Sequence, residues 1–207
     1  MNDASLRARL VDAAHSLFDR RLTHGRTGNL SIRTGDRILV TPTGCSLGAL
    51  TASELSVIAL DGSHLEGAPP SKEAFLHAAV LRARPQDTAV VHTHSAHSAA
   101  VSCLADVDEH DVLPPLTAYY AMRVGTLPLL PFHAPGDPNL GPLAEETART
   151  HRALLLRNHG PVVAGADLAA AMDALEELEE TARLHLLLHG HRTAPLTPAQ
   201  AAALRKG

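Results

Sequence analysis

The sequence predicts an α/β layered fold in which helices and strands alternate without a strict parallel order. Amphipathic stretches with apolar residues three and four apart are interleaved with short β-branched stretches bounded by Gly, Asp or Pro. The 207 residues, 45% of them hydrophobic, are enough for one substantial core and few for two, so a single domain spanning 1–207 is expected. Trp is absent and only three Phe and two Tyr occur, so Leu, Val, Ile and Ala must fill the interior.

From Ser5 to Leu22, apolar Leu6, Leu10, Ala13, Ala14, Leu17 and Phe18 fall at helical spacing, and Gly25 and Gly28 break the pattern. Residues 29–33, 37–41 and 55–60 read as strands joined by tight turns. Ser71 can cap a helix through Phe75, Leu76, Ala79 and Val80, before Pro85. Val90–His94 reads as a strand and 95–104 as a helix. The Pro-rich stretch 114–138 is expected to be irregular, with a strand at 126–130, and 140–152 is expected to be helical. Two strands, 153–157 and 161–164, flank the turn Asn158-His159-Gly160. Asp167 caps a long helix that Gly190 ends, and the tail from Thr197 reads as a short helix docking on the domain or on a neighbouring subunit.

The formal charge of −4 and the lack of a Lys/Arg run argue against nucleic acid, and two Tyr and three Phe supply no stacking platform for single strands. No charged-then-apolar leader opens the chain and no apolar run approaches about 18 residues, so neither export nor a membrane partner is expected. Two cysteines, Cys45 and Cys103, are too few for a disulfide framework, which points to a reducing, cytoplasmic setting.

His92 and His94 stand two apart in an expected strand, so both imidazoles project from one face and can reach one ion. In a chain with 14 histidines such a pair does not by itself mark a site, and His189-Gly190-His191 is another. The polar cluster Thr93, Ser95, His97 and Ser98 at the strand end adds weight, because unpaired buried polar groups cost about 1–3 kcal/mol each unless they converge on partners. His159 is a third candidate, and three protein ligands with one open position are the usual catalytic zinc arrangement. Nitrogen donors favour zinc over magnesium or calcium; manganese, cobalt and iron remain alternatives.

Thr27-Gly28-Asn29, Thr41-Pro42-Thr43-Gly44, Ser71-Lys72-Glu73, His92-Thr93-His94 and Asn158-His159-Gly160 occur in the order seen in class II aldolases. The chain resembles that family over nearly its whole length. The resemblance implies a three-layer α/β/α sandwich of the class II aldolase/adducin type with a mainly antiparallel central sheet, a zinc site of His92, His94 and His159, and a homotetramer. It is closest to the branch that decarboxylates 3-oxo-tetronate 4-phosphates, through the stretch Leu113–Gly125, Ser71-Lys72-Glu73 and residues 94–98. Aldolases of the family commonly carry a second Ser where Lys72 stands, so Lys72 is expected either to meet an anionic group of the substrate or to be solvated at a helix start.

The resemblance implies a small phosphorylated sugar-acid substrate, decarboxylated to dihydroxyacetone phosphate through a metal-stabilised ene-diolate, with Glu73 as the proton-transfer residue. Gly28, Asn29, Thr43, Gly44 and Ser71 match the family's phosphate pocket. Tyr119 and Tyr120 lie where a family Tyr can approach the reaction centre from an adjoining subunit, a packed aromatic being the other reading. His97 is read as a supporting polar group. Sugar-phosphate aldolase, epimerase or dehydratase chemistry on the same metal is the alternative, followed by a non-catalytic adducin-like module.

Overall fold

In the computed structural model, which describes residues 3–204, period-two alternation along the strands sets the layering. After helix α1 (Asp3–Asp19), four strands run as an antiparallel meander: β1 (Asn29–Thr34), β2 (Arg37–Val40), β3 (Ser56–Ala59) and β4 (His64–Gly67). Helix α2 (Ala74–Ala83) then carries the chain back to β5 (Ala89–His92), which pairs antiparallel with β1. Helices α3 (Ala96–Ser102) and α4 (Ala118–Arg123), edge strand β6 (Leu129–Leu130) and helix α5 (Leu140–Ala148) follow. The hairpin β7 (Ala153–Leu156) and β8 (Gly160–Gly165), long helix α6 (Leu168–Leu187) and α7 (Pro198–Leu204) complete the order. The sheet runs β4-β3-β2-β1-β5-β8-β7-β6, antiparallel except for the β6–β7 pair.

Each central strand feeds two cores. Leu39, Ala89, Val91 and Val163 join α1, α3 and α6 on one face, through Leu10, Leu17, Val101, Leu175 and Leu178. Ile38, Val40, Val90, Val162 and Ala164 join α2 and α5 on the other, through Leu76, Val80, Ala144 and Ala148. Burying one such Leu or Val contributes about 1.5–3 kcal/mol, so both faces are firmly covered. The result is the expected three-layer α/β/α sandwich with a mainly antiparallel sheet.

Several local expectations are corrected. Strand β5 ends at His92, not His94: the Thr93 N–H still donates to the Pro161 carbonyl at 3.3 Å, but the chain then turns into α3. Helix α2 begins at Ala74, and Ser71 does not cap it; the Ser71 hydroxyl accepts the Glu73 N–H at 3.3 Å in a preceding turn. The Pro-rich stretch holds the six-residue α4, capped by Thr117 Oγ1 accepting from the Tyr120 N–H at 3.1 Å, and only Leu129 and Leu130 of the expected 126–130 strand pair with a neighbour. Helix α5 stops at Ala148 rather than Arg152, whose carbonyl already accepts from the Ala164 N–H of β8. The tail docks on its own domain: the Leu196 N–H donates to the Pro115 carbonyl at 3.0 Å, and Ala201 is buried.

Candidate metal centre

The sheet register brings the chemistry to one end. Asn29 pairs with His92 across β1–β5 and His92 with Val162 across β5–β8, so the start of β1, the end of β5 and the β7–β8 turn are neighbours. His92 is fully buried, and its Nδ1–H donates to the Pro161 carbonyl at 2.8 Å. A backbone carbonyl only accepts, so this bond puts a proton on Nδ1 and turns Nε2 toward the cluster.

His94 Nε2 lies 3.2 Å from His92 Nε2 and 2.9 Å from His159 Nε2. Glu73, just before α2, adds Oε2 at 3.4 Å from His92 Nε2 and Oε1 at 3.4 Å from His159 Nε2. All four donor groups lie within 4.8 Å of one another. Ligands bound at about 2.0–2.2 Å in a tetrahedron stand about 3.4 Å apart, so the spacing suits a divalent transition ion. The protonation states suit it too: burial, then the His92 ring, pushes His94 down to about 3 and His159 down to about 4. Burial pushes the Glu73 carboxyl up, but His92, His159 and the Asn29 amide outweigh it and hold it below 4.5. Neutral His94 and His159 rings and an ionised Glu73 carboxylate are forms a metal requires.

The turn that carries His159 is shaped by two residues. Asn158 takes φ 56, in the left-handed region that Asn tolerates, and a Cβ on Gly160 would stand 2.2 Å from the Thr93 carbonyl oxygen. Only a glycine lets the hairpin approach the His92–His94 segment this closely.

Beside the cluster is a cleft of about 170 Å³ lined by Gly28, Asn29, Thr43, Gly44, Ser71, Lys72, Glu73, His94 and His159. The Ser71 N–H donates to the Thr41 carbonyl at 3.1 Å and the Thr43 N–H to the Pro69 carbonyl at 3.0 Å, which sets residues 71–73 against the 43–44 turn. Lys72 and Arg26 are the cations of the lining. Tyr120 is fully buried in the core with α6, and Tyr119 is 58% exposed with the Arg123 guanidinium 5.4 Å over its ring; neither lines the cleft within this chain. His97 stands apart from the cluster, its Nδ1 2.8 Å from Glu179 Oε1.

Sequence reasoning missed three residues. His77 is fully buried behind Asn29, and its signal was its place one helical turn after Glu73. Glu179, on α6, anchors the segment after His94 from 82 residues away, a distance at which sequence carries no signal. Arg26, next to Thr27-Gly28-Asn29, was overlooked in favour of the motif itself.

A Glu and three His gathered at one end of the sheet of a three-layer sandwich form a cluster that could hold a metal ion. Residues 8–186 match the Class II Aldolase and Adducin N-terminal domain, and the chain belongs to that family. It is 43% identical over 201 residues to the 3-oxo-tetronate 4-phosphate decarboxylase of Haemophilus influenzae, covering 97% of this chain and 96% of that one. Its identity to the protein of the same name from Escherichia coli strain K12 is 44% over 204 residues, covering 98% and 96%. The crystal structure of YgbL from Escherichia coli superposes with a TM-score of 0.95 at 43% identity, covering 98% of this chain and 99% of that one.

Proposed function

We propose that this protein is a zinc-dependent decarboxylase that converts 3-oxo-tetronate 4-phosphate to dihydroxyacetone phosphate and carbon dioxide. The observation that carries this reading is one cleft that joins the Glu73–His cluster to Lys72 and to the small residues Gly28, Thr43, Gly44 and Ser71. Relatives of that name, similar over nearly the whole chain, support it. His92, His94 and His159 hold the ion, and a divalent ion so bound supplies a Lewis acid to substrate oxygens on which negative charge develops.

The other steps fall to the chain's own groups. The N–H groups of Gly28 and Gly44, with the Thr43 and Ser71 hydroxyls, receive the phosphate, and Lys72 meets the substrate's carboxylate end. Glu73, ionised at neutral pH, takes the proton of the hydroxyl on C2. The C1–C2 bond then breaks and carbon dioxide leaves; the bond's electron pair passes into C2–C3 as the C3 carbonyl pair moves onto its oxygen, and it returns to C2 when that carbonyl re-forms. Glu73 returns the proton to C2, and solvent supplies the one proton consumed overall, to the C2 oxygen. The test is carbon dioxide release by the zinc-loaded protein, with a His92→Ala/His94→Ala variant as control. Metal-dependent, stoichiometric release is expected; none above control would discard the decarboxylase and turn attention to aldol cleavage at the same centre.

The assembly we infer is a homotetramer, supported by large apolar residues left exposed, Tyr119 and Met122 on α4 and Phe132 beyond it. Light scattering at four chain masses is the expected result, and one chain mass would refute it. Among the described residues no helix is long and apolar enough to cross a membrane. Free thiols at Cys45 and Cys103 support a cytoplasmic setting.

A further inference from the structure

We propose that His77 is a positioning residue for Glu73, acting through the Asn29 side chain. Asn29 and Ser31 stand two apart on β1 and so face the same side, where α2 brings His77 against both. His77 Nε2 lies 2.5 Å from Asn29 Oδ1, His77 Nδ1 lies 2.8 Å from Ser31 Oγ, and Asn29 Nδ2 lies 3.0 Å from Glu73 Oε2. All three supporting residues are buried.

Chemistry gives this chain one direction. A carboxylate only accepts, so Asn29 turns its NH2 to Glu73 and its Oδ1 to His77. Oδ1 only accepts, so His77 carries its proton on Nε2; Nδ1 of the neutral ring then accepts from the Ser31 hydroxyl. Burial, with the nearby His92 ring, pushes His77 down to about 3, consistent with that neutral ring. Turning the Asn29 amide over would set two donors and two acceptors face to face in a buried site, where each unmade bond costs about 1–3 kcal/mol. His77 therefore locks the amide, and the amide pins Oε2. The proton that Glu73 carries is thereby assigned to Oε1, the oxygen turned toward His159.

This rests on the proton-carrying role given to Glu73, so one arm of the test is independent of turnover. That arm is the ring ¹⁵N–¹H correlation of His77, identified by its loss in His77→Gln. A neutral ring protonated on Nε2 at pH 7 is expected, whether or not the substrate is correctly named. An Nδ1–H or doubly protonated ring would overturn the proposal. The second arm is a double-mutant cycle on decarboxylation. His77→Leu should lower kcat about 10–100-fold with KM moving less than about threefold, and His77→Gln, whose amide can still donate to Asn29, should recover most of it. In an Asn29→Ala background the same His77→Leu change should cost less than about twofold. Equal losses in the two backgrounds would mean that His77 acts through packing alone, and the proposal would fail. If His77→Leu does not fold, the tautomer and the His77→Gln turnover decide.

Discussion

Glu73 has two neighbouring demands on one carboxylate: Oε2 is taken by the Asn29 amide at 3.0 Å, while Oε1 lies 3.4 Å from His159 Nε2. Replacing it with Gln keeps the shape and removes the proton carrier. Glu73→Gln should lower turnover by about 10²–10⁴ while circular dichroism and melting stay near wild type. A folded, metal-loaded variant with wild-type turnover would remove Glu73 from the chemistry. Gly160 acts through space rather than charge. In Gly160→Ala the new methyl collides with the Thr93 carbonyl, so the hairpin must withdraw and take His159 with it. Overpacking of this kind costs about 1–3 kcal/mol, and the variant should melt lower and hold less metal by elemental analysis. Unchanged metal content would show that the turn can relax without moving His159. Both residues were legible as motif members. Their contacts were not, because Gly160 meets Thr93 and Glu73 meets His159 only after the sheet has formed.

Helix α3 starts directly after His94, and its N-terminus has no capping side chain of its own: Ser95 at the cap position makes no such bond. Glu179 of α6 supplies what is missing, accepting the His97 and Ser98 N–H groups at 2.9 Å each and the Ser98 hydroxyl at 2.6 Å. Burial pushes its carboxyl up, but the Ser98 hydroxyl and the two backbone N–H groups outweigh this, leaving it below its ordinary 4.5. A carboxyl lowered on folding adds stability that is complete above its unfolded value and lost as pH falls through the folded one. Unfolding free energy should therefore fall below about pH 4.5 in the wild type. Glu179→Gln should be less stable at pH 7 and lose less on acidification; parallel curves would show that Glu179 does not titrate with folding. Elements were legible where periodicity was strong, as in α6. Strand β4 escaped notice because all four residues are exposed, leaving no alternation, and α4 because its Pro-rich flanks mask a six-residue helix.

The strand order β4-β3-β2-β1-β5-β8-β7-β6 could not be read from spacing, since β5 enters between β1 and β8 only through crossovers whose partners are dozens of residues away. Shared motifs nonetheless pointed to the right sandwich, because each motif sits where the chain returns to the same end of the sheet. Three separate elements meet there: the turn before α2 brings Glu73, the end of β5 brings His92 and His94, and the β7–β8 hairpin brings His159. An ion held by all of them ties together elements that the unfolded chain leaves far apart, so it binds the folded state and not the unfolded one. At a free metal concentration of 100 Kd such binding stabilises by about 2.7 kcal/mol, which for a chain of this size is roughly 5–11 °C in Tm. Chelation should lower the melting temperature by that order and zinc should restore it, whereas His92→Ala/His94→Ala should melt at the same temperature with or without chelator. A wild-type melt indifferent to chelator and to added zinc would mean that the cluster does not hold the ion, and the Lewis-acid step in the proposed reaction would go with it.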